Sequence, residues 1–426
     1  MTDFSFTETP AVANVRHVVL VVIALGVALG CSGDNLIDPR APAFSSAAER
    51  RPSPRLPKPS PVANDSSSVR YDLPLSLGEG LEWATVVAPH LMSLPIDPMG
   101  NNDYVHPDLI RFTGAESVAG CGKAEMIITP YKGSNGFFEN PTLLCRNTAS
   151  WFAPSWLKSP LVASPGLPKI NSDPDMFVDP ATGEKIITYR EASAEFNSIK
   201  AISTVNGYSY VPWGTVFEER SHNAVSPTSV LEPDRSLLST WYVQAGGGGC
   251  SAAETHVALR EAVPEPGKSV MLVPWKFKTV VNISQPGYNI WHIDVIKVGE
   301  SLYLMLAAAY PKGSDCGHSD LFLYMSRNRI DWESFEVPFI WRDMPDVNVR
   351  TLYRGSLLFD EKTRVLDIDF SAMNLKGDWR VWEAAYSLPR LISTLRSAKP
   401  SDMPKISASK LGGDIDRLGE RPFIAP

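Results

Sequence analysis

Five short segments bring acidic, imidazole and guanidinium side chains into strand-like spacing: His106-Pro107-Asp108, Asp173-Pro174-Asp175, Ser226-Pro227-Thr228, Trp291-His292-Ile293-Asp294 and Tyr353-Arg354-Gly355. In an extended chain residues i and i+2 point to one face, so Asp108 is expected to face the same way as His106, and Asp175 the same way as Asp173. Carboxylates crowded into one enclosed site raise the pKa of one of their number, which is how a general acid is kept beside a base. Asp-Pro-Asp also suits a turn with its cap, and Glu139-Asn140-Pro141 suits a loop closing before a strand. Chemistry therefore depends on whether the fold brings these segments to one place.

The elements that must do so are a repeat. From about residue 104 the openings recur at intervals of 67, 53, 65 and 62 residues. Each unit continues through a second apolar strand, such as Met126 to Tyr131, Ile186 to Tyr189, Leu238 to Tyr242, Leu302 to Leu306 and Val365 to Phe370. A polar loop, a third strand and a turn near Trp or Tyr follow. Five units of this length predict an all-β chain folded as a five-bladed β-propeller, with residues 71–390 forming the domain. The first strand of every blade lines the central channel, so the five openings converge on one funnel. The segment from Leu73 to Pro98 is expected to supply a strand that closes the ring. A β-sandwich would also use short strands but has no reason to repeat at this period.

Five blades opening on Asp-Pro-type motifs, the blade turn Ser326-Arg327-Asn328-Arg329-Ile330-Asp331-Trp332, and Glu139-Asn140-Pro141 after a Tyr-bearing strand resemble the five-bladed propeller glycosidases, the arabinanase/β-xylosidase and invertase/levansucrase families. The resemblance covers residues 104 to 388 at the level of architecture. It implies glycoside hydrolysis by funnel carboxylates, one protonated on the leaving oxygen and one acting as base or nucleophile, about 5 Å apart for retention and roughly 6.5 to 9.5 Å for inversion. The chain departs from the family where His106, Ser226-Pro227 and Trp291-His292 replace acids. Either the acids are redistributed or catalysis is lost and a glycan-binding or protein-interaction propeller remains. If redistributed, Asp108, Asp173 and Asp175 are the candidates to hold the developing charge, and Glu139 and Glu191, beside the loops after Tyr131 and Tyr189, are the candidates to give the proton. His106, Arg190, His292, Asp294, Tyr353 and Arg354 are the candidate contacts to a sugar or anionic group, the guanidiniums forking onto hydroxyls or a carboxylate or neutralising the acids.

No metal site is expected. The remaining histidines, His90, His222, His256 and His318, lack zinc-type spacing. Some arabinanase-like propellers hold a calcium near the axis, so an axial calcium at His292 is the one cofactor the resemblance leaves open. With 47 acidic against 40 basic side chains and no block of like charge, a nucleic-acid partner is excluded. The 36 prolines argue against helical bundles. A carbohydrate is the expected partner, and a monomer the expected state.

The first thirty residues read as a signal peptide. Val18 to Leu29 is an uncharged apolar run ending in Ala28-Leu29-Gly30-Cys31. Small residues before a cysteine resemble the lipobox of bacterial lipoproteins, which implies lipidation of Cys31 and an exported, membrane-anchored envelope protein. An ordinary secretory signal or a buried helix is the alternative. Residues 31–70 carry Pro39, Pro42, Pro52, Pro54, Pro57, Pro59 and Pro61 and read as a disordered tether. Residues 391–426 read as a polar tail. With Cys31 consumed, an exported chain should oxidise the other four, and hairpin and rim-loop positions pair Cys121 with Cys145 and Cys250 with Cys316, among three possible connectivities.

Overall fold

The computed structural model of the chain describes residues 77–403, less 97–101, 112–120, 123, 148–149, 156, 158–160, 167–168, 194–196, 221 and 247–248. The signal, Cys31 and the tether lie outside the described residues. Contacts divide the chain into Met1–Arg70 and Tyr71–Pro426.

A helix α1 (Leu77–Ala84) leads into strand β1 (Thr85–Leu91). Blade one is β2 (Tyr104–Arg111), β3 (Ala124–Pro130), β4 (Thr142–Arg146) and β5 (Trp151–Phe152). Blade two is β6 (Ile170–Val178), β7 (Lys185–Ala192), β8 (Asn197–Thr204) and β9 (Val211–Glu219). Blade three is β10 (Asn223–Leu231), β11 (Leu238–Ala245), β12 (Thr255–Ala262) and β13 (Lys276–Val280). Blade four runs β15 (Tyr288–Val298), β16 (Leu302–Pro311), β17 (Asp320–Ser326) and β18 (Asp331–Ser334), with the short β14 (Asn282–Ile283) pairing parallel to β18. Blade five is β19 (Thr351–Asp360), β20 (Val365–Met373) and β21 (Trp379–Ser387), completed on its outer edge by β1. The ring is thus closed by the two ends of the domain.

The inner strands β2, β6, β10, β15 and β19 pack one against the next, and β19 returns to β2. They are buried along most of their length, as strands covered on both faces must be. Apolar layers fill the gaps between blades; Leu306, Leu323, Leu357, Ile368 and Phe370 form part of the one around blades four and five. Both expected disulfides are present, with Cα separations of 4.6 Å for Cys121–Cys145 and 5.2 Å for Cys250–Cys316. The second ties a rim turn of blade three to one of blade four.

One boundary moves. The chain does not become a tail at residue 391, because α2 (Leu388–Ser397) buries Leu388, Leu391 and Leu395 and packs on α1. Their closest approach is at Gly80, where an added Cβ would stand 2.6 Å from Thr394 Cγ2, and the Thr394 hydroxyl donates to the Gly80 carbonyl at 3.0 Å. Pro389 starts this helix rather than stopping the fold, since the first turn needs no N–H from it. Among the described residues no helix is long and apolar enough to cross a membrane.

Candidate functional site

Every inner strand carries a register shift at the same depth, where it gains a residue over its partner: after Val105, Ser172, Val225, Ile290 and Leu352. Such bulges re-aim side chains. His106, Asp173 and Ser226 adopt left-handed backbone there, with φ of 58°, 50° and 54°. Strain of this kind persists only where surrounding structure imposes it. The result is two rings of side chains around the axis. The upper ring is His106, Asp173, Ser226, His292 and Arg354; the lower, two residues on, is Asp108, Asp175, Thr228, Asp294 and Ser356.

The lower ring staples the blades together. Asp108 accepts from the Met176 amide at 2.6 Å and from Ser356 Oγ at 3.1 Å. Asp294 accepts from the Leu357 amide at 2.7 Å and from Thr228 Oγ1 at 3.1 Å. The Leu109 and Val295 amides donate to Ser356 Oγ and Thr228 Oγ1. Burial raises the pKa of Asp108, Asp175 and Asp294, their mutual repulsion adds to it for the first two, and Arg354 opposes it; Asp175 is pushed up to about 7. A cavity of about 410 Å³ lies against this ring and is also lined by Ser229, Lys297 and Glu361.

The upper ring is different in kind. The Ser226 hydroxyl is tied to the Ile293 backbone and takes no part. Arg354 donates from Nη2 to the Pro227 carbonyl at 3.1 Å. His106, Asp173 and His292 converge. His106 Nε2 is 3.1 Å from Asp173 Oδ1, His292 Nδ1 is 3.6 Å from the same oxygen, and His106 Nδ1 is 3.4 Å from Glu139 Oε2. Asp173 Oδ2 is occupied by Arg190 Nη1 at 3.1 Å. Glu139 enters from the end of a single helical turn, Gly136–Phe138, whose start is capped by Asn135.

These contacts are close but poorly aligned. His106 Nε2, Asp173 Oδ1, Glu139 Oε2 and both nitrogens of His292 are buried with no hydrogen-bond partner among the described residues. The His106 tautomer follows from its neighbours. Thr129 Oγ1 spends its proton on the Val105 carbonyl, so it accepts from His106 Nδ1, which leaves Nε2 beside a carboxylate oxygen. Burial raises Glu139 against the opposing pull of His106. Burial would raise Asp173 too, but the positive charge that His106, His292, Arg190 and Arg354 can carry around it holds it below the usual carboxylate range. Burial drives His292 well below the usual histidine range, against the opposing pull of Asp173.

Aromatic rings frame the group. Tyr353 lies 4.2 Å from His292, 5.3 Å from His106 and 5.0 Å from Trp379, centroid to centroid, and Trp291 Nε1 donates to its hydroxyl at 3.3 Å. Tyr131 meets Trp379 edge-on at 5.5 Å.

With this geometry the sequence expectations divide. The fold brings together His106, Glu139, Asp173, Arg190, His292, Tyr353 and Arg354. It does not bring Asp108, Asp175 and Asp294 to them; those three form the lower ring. Glu191 is turned away, held by Lys200 at 2.5 Å and Lys169 at 3.5 Å. Sequence reasoning missed Thr129, Trp291 and Trp379, although three x-Pro-x openings in register were a sign of two rings. Two trios have ligand atoms within 4.8 Å of one another, His106–Asp173–His292 and Asp108–Asp175–Asp294. The acids of the second spend their oxygens on blade contacts. In the first, His106 Nε2, Asp173 Oδ1 and both His292 nitrogens are left without a hydrogen-bond partner among the described residues, the donor set a divalent ion would take.

No family model matches the chain, and no curated protein matches it. Among solved structures it is similar to an N-acetylgalactosamine deacetylase from F. plautii in complex with blood group B trisaccharide, at 17% identity over 74% of this chain and 98% of that one, with a TM-score of 0.62. The fold is a five-bladed propeller. The chain is also similar to the catalytic domain of a Coprinopsis cinerea GH62 α-L-arabinofuranosidase, at 12% identity, 72% and 98% coverage and a TM-score of 0.48. A thermostable family-43 glycoside hydrolase matches at 12% identity, 67% and 89% coverage and the same score. The likeness to the deacetylase is one of fold.

Proposed function

We propose that this protein is a carbohydrate-active hydrolase of the glycoside-hydrolase propeller type, with its reaction centre at the upper ring. The observation that carries the reading is a pair of buried carboxylates, Glu139 and Asp173, set against the two nitrogens of one imidazole at 3.4 and 3.1 Å. Glycoside hydrolysis needs two such carboxyl groups, one to protonate the leaving oxygen and one as base or nucleophile. Glu139 gives the proton to the leaving oxygen, and Asp173, oriented by Arg190, takes one from the water. Tyr353, Tyr131 and Trp379 are buried behind the group and back it with an apolar wall. The test is a screen of the native protein on aryl glycosides and polysaccharides, with the first-formed product read by NMR. Hydrolysis of at least one glycoside is expected, the product's configuration telling inversion from retention; no turnover on any glycoside overturns glycosidic cleavage.

A second reading is favoured by one observation. Two buried histidines face Asp173 with unused nitrogens, and two-carboxylate hydrolysis has no task for them. Removal of an acyl group from a carbohydrate does, and the N-acetylgalactosamine deacetylase with this fold supports it.

Export is supported by the two disulfides, which belong to an oxidising compartment. Anchoring through a lipid on Cys31 follows from the lipobox-like sequence. Cys31→Ala should abolish labelling by a fatty-acid analogue in a bacterial host and release the protein from the membrane fraction; unchanged membrane association would reject the anchor.

A further inference from the structure

The unused nitrogens of the upper ring are a chemical anomaly. His292 is 2% exposed, yet neither ring nitrogen has a hydrogen-bond partner among the described residues. A buried polar atom left unpaired costs about 1 to 3 kcal/mol. Here several such atoms meet in one place. His106 Nε2 stands 3.1 Å from Asp173 Oδ1 but off the line of a hydrogen bond, so a proton between them is poorly placed, whereas a cation set beside both atoms satisfies both.

We infer that His106 Nε2, Asp173 Oδ1 and His292 form a binding site for one divalent ion of the zinc class. Neutral imidazole and carboxylate are the ligands that such ions select, and three protein ligands leave a coordination position open. Each ligand is held from behind. Thr129 fixes the tautomer of His106, Arg190 occupies the other oxygen of Asp173, and Tyr353 packs on the ring of His292. An ion with an open position polarises a carbonyl and lowers the pKa of a water.

The site rests on the upper ring being the reaction centre and changes the bond that is cleaved. With Asp173 a ligand, Glu139 is the one carboxylate left for proton transfer, too few for a two-carboxylate glycosidase. The substrate class is then an N- or O-acylated sugar, whose carbonyl is what an ion can polarise. The water oxygen bonds to the acyl carbon as Glu139 takes one of its protons. The C–N or C–O bond breaks and that proton passes to the departing nitrogen or oxygen, giving a carboxylic acid and a free amine or hydroxyl. No oxidant or reductant is required.

The test uses the full chain, stripped with a chelator and reloaded with Zn²⁺ or Co²⁺. Elemental analysis should find one ion per chain, with a Co²⁺ visible spectrum of a low-coordinate site. Both should be lost in His106→Ala and His292→Ala and kept in Ser226→Ala, an upper-ring position whose side chain points elsewhere. Thr129→Val should weaken the affinity about 10- to 100-fold by freeing the His106 tautomer, an effect that a loss of packing would not produce. Acetate release from N-acetyl and O-acetyl sugars should follow ion content. Native protein that retains no Zn²⁺ overturns the site, and if that stripped protein cleaves glycosides the glycosidic reading stands without it. Retained ion with glycosides cleaved and no acyl release overturns the substrate class.

Discussion

Asp173 and Asp108 show how far a residue's role can be read from its spacing. That i and i+2 share a face was correct, but a strand rises about 3.3 Å per residue, so the second residue sits some 6.6 Å deeper along the channel. Same face therefore did not mean same site: Asp173 belongs to the upper ring, the proposed reaction centre, and Asp108 to the staples beneath it. Alternation also explains Glu191. Arg190 points at Asp173, so its neighbour must point away, and it meets two lysines. Asp173→Asn and Glu139→Gln should each lower kcat/KM on the substrate that the screens identify by roughly 10²- to 10⁴-fold, the usual worth of a lost acid, base or ligand. Glu191→Gln should leave kcat/KM within about twofold. A large loss in Glu191→Gln with the other two unaffected would move the centre to the blade-two rim. The three ligand candidates were invisible as a set in the sequence, because they come from blades one, two and four and have no local spacing.

Blades were legible as elements because their apolar runs recur, but contacts between blades were not, since they join residues far apart in sequence. Lys185 and Glu125 form such a contact, an ion pair between β7 and β3 with both side chains at most 1% exposed. Burial lowers Lys185 and raises Glu125 while each opposes the shift of the other. Lys185→Met alone should cost about 3 to 5 kcal/mol in urea unfolding, because it strands a buried carboxylate, whereas the double change Glu125→Leu with Lys185→Met should recover most of it. Equal losses in the single and double variants would show that the pair adds stability beyond its desolvation. Blade five holds a titrating group of opposite consequence. Burial raises Asp369 well above the carboxylate range, and Glu383 and Asp367 add to it. Between its unfolded and folded pKa the native state binds more protons than the unfolded state, so its contribution to stability falls as pH rises through that window. Asp369→Asn should therefore melt higher than the native protein at pH 8 and lose that advantage towards pH 4; an advantage independent of pH would assign the effect to packing instead.

At the scale of the molecule, ring closure decides which pieces of chain are indispensable. Five repeats announced a propeller, and the segment before the first blade was expected to close it. What the sequence concealed was the helix pair beneath the closure, because Pro389 reads as an ending unless the Leu388, Leu391, Leu395 spacing is seen as one helical face. Among the described residues β1 pairs as a strand with β21 alone, and much of it is exposed. The segment is anchored mainly by Leu77, Leu81 and Ala84 of α1, buried in the same cluster as Leu391, Leu395 and Ala398. At about 1.5 to 3 kcal/mol for each large apolar side chain buried, the two leucines of α1 represent a substantial share of a domain's margin of about 5 to 15 kcal/mol. A chain starting at Tyr71 should melt within about 2 °C of the full chain, since it keeps every described contact. A chain starting at Asn102 loses α1 and β1, exposes the edge of β21 and uncovers the apolar face of α2. It should melt lower by about 10 °C or more, or aggregate through the bared edge. Equal melting of the two truncated chains would mean that three strands of blade five hold the ring shut without the N-terminal strand.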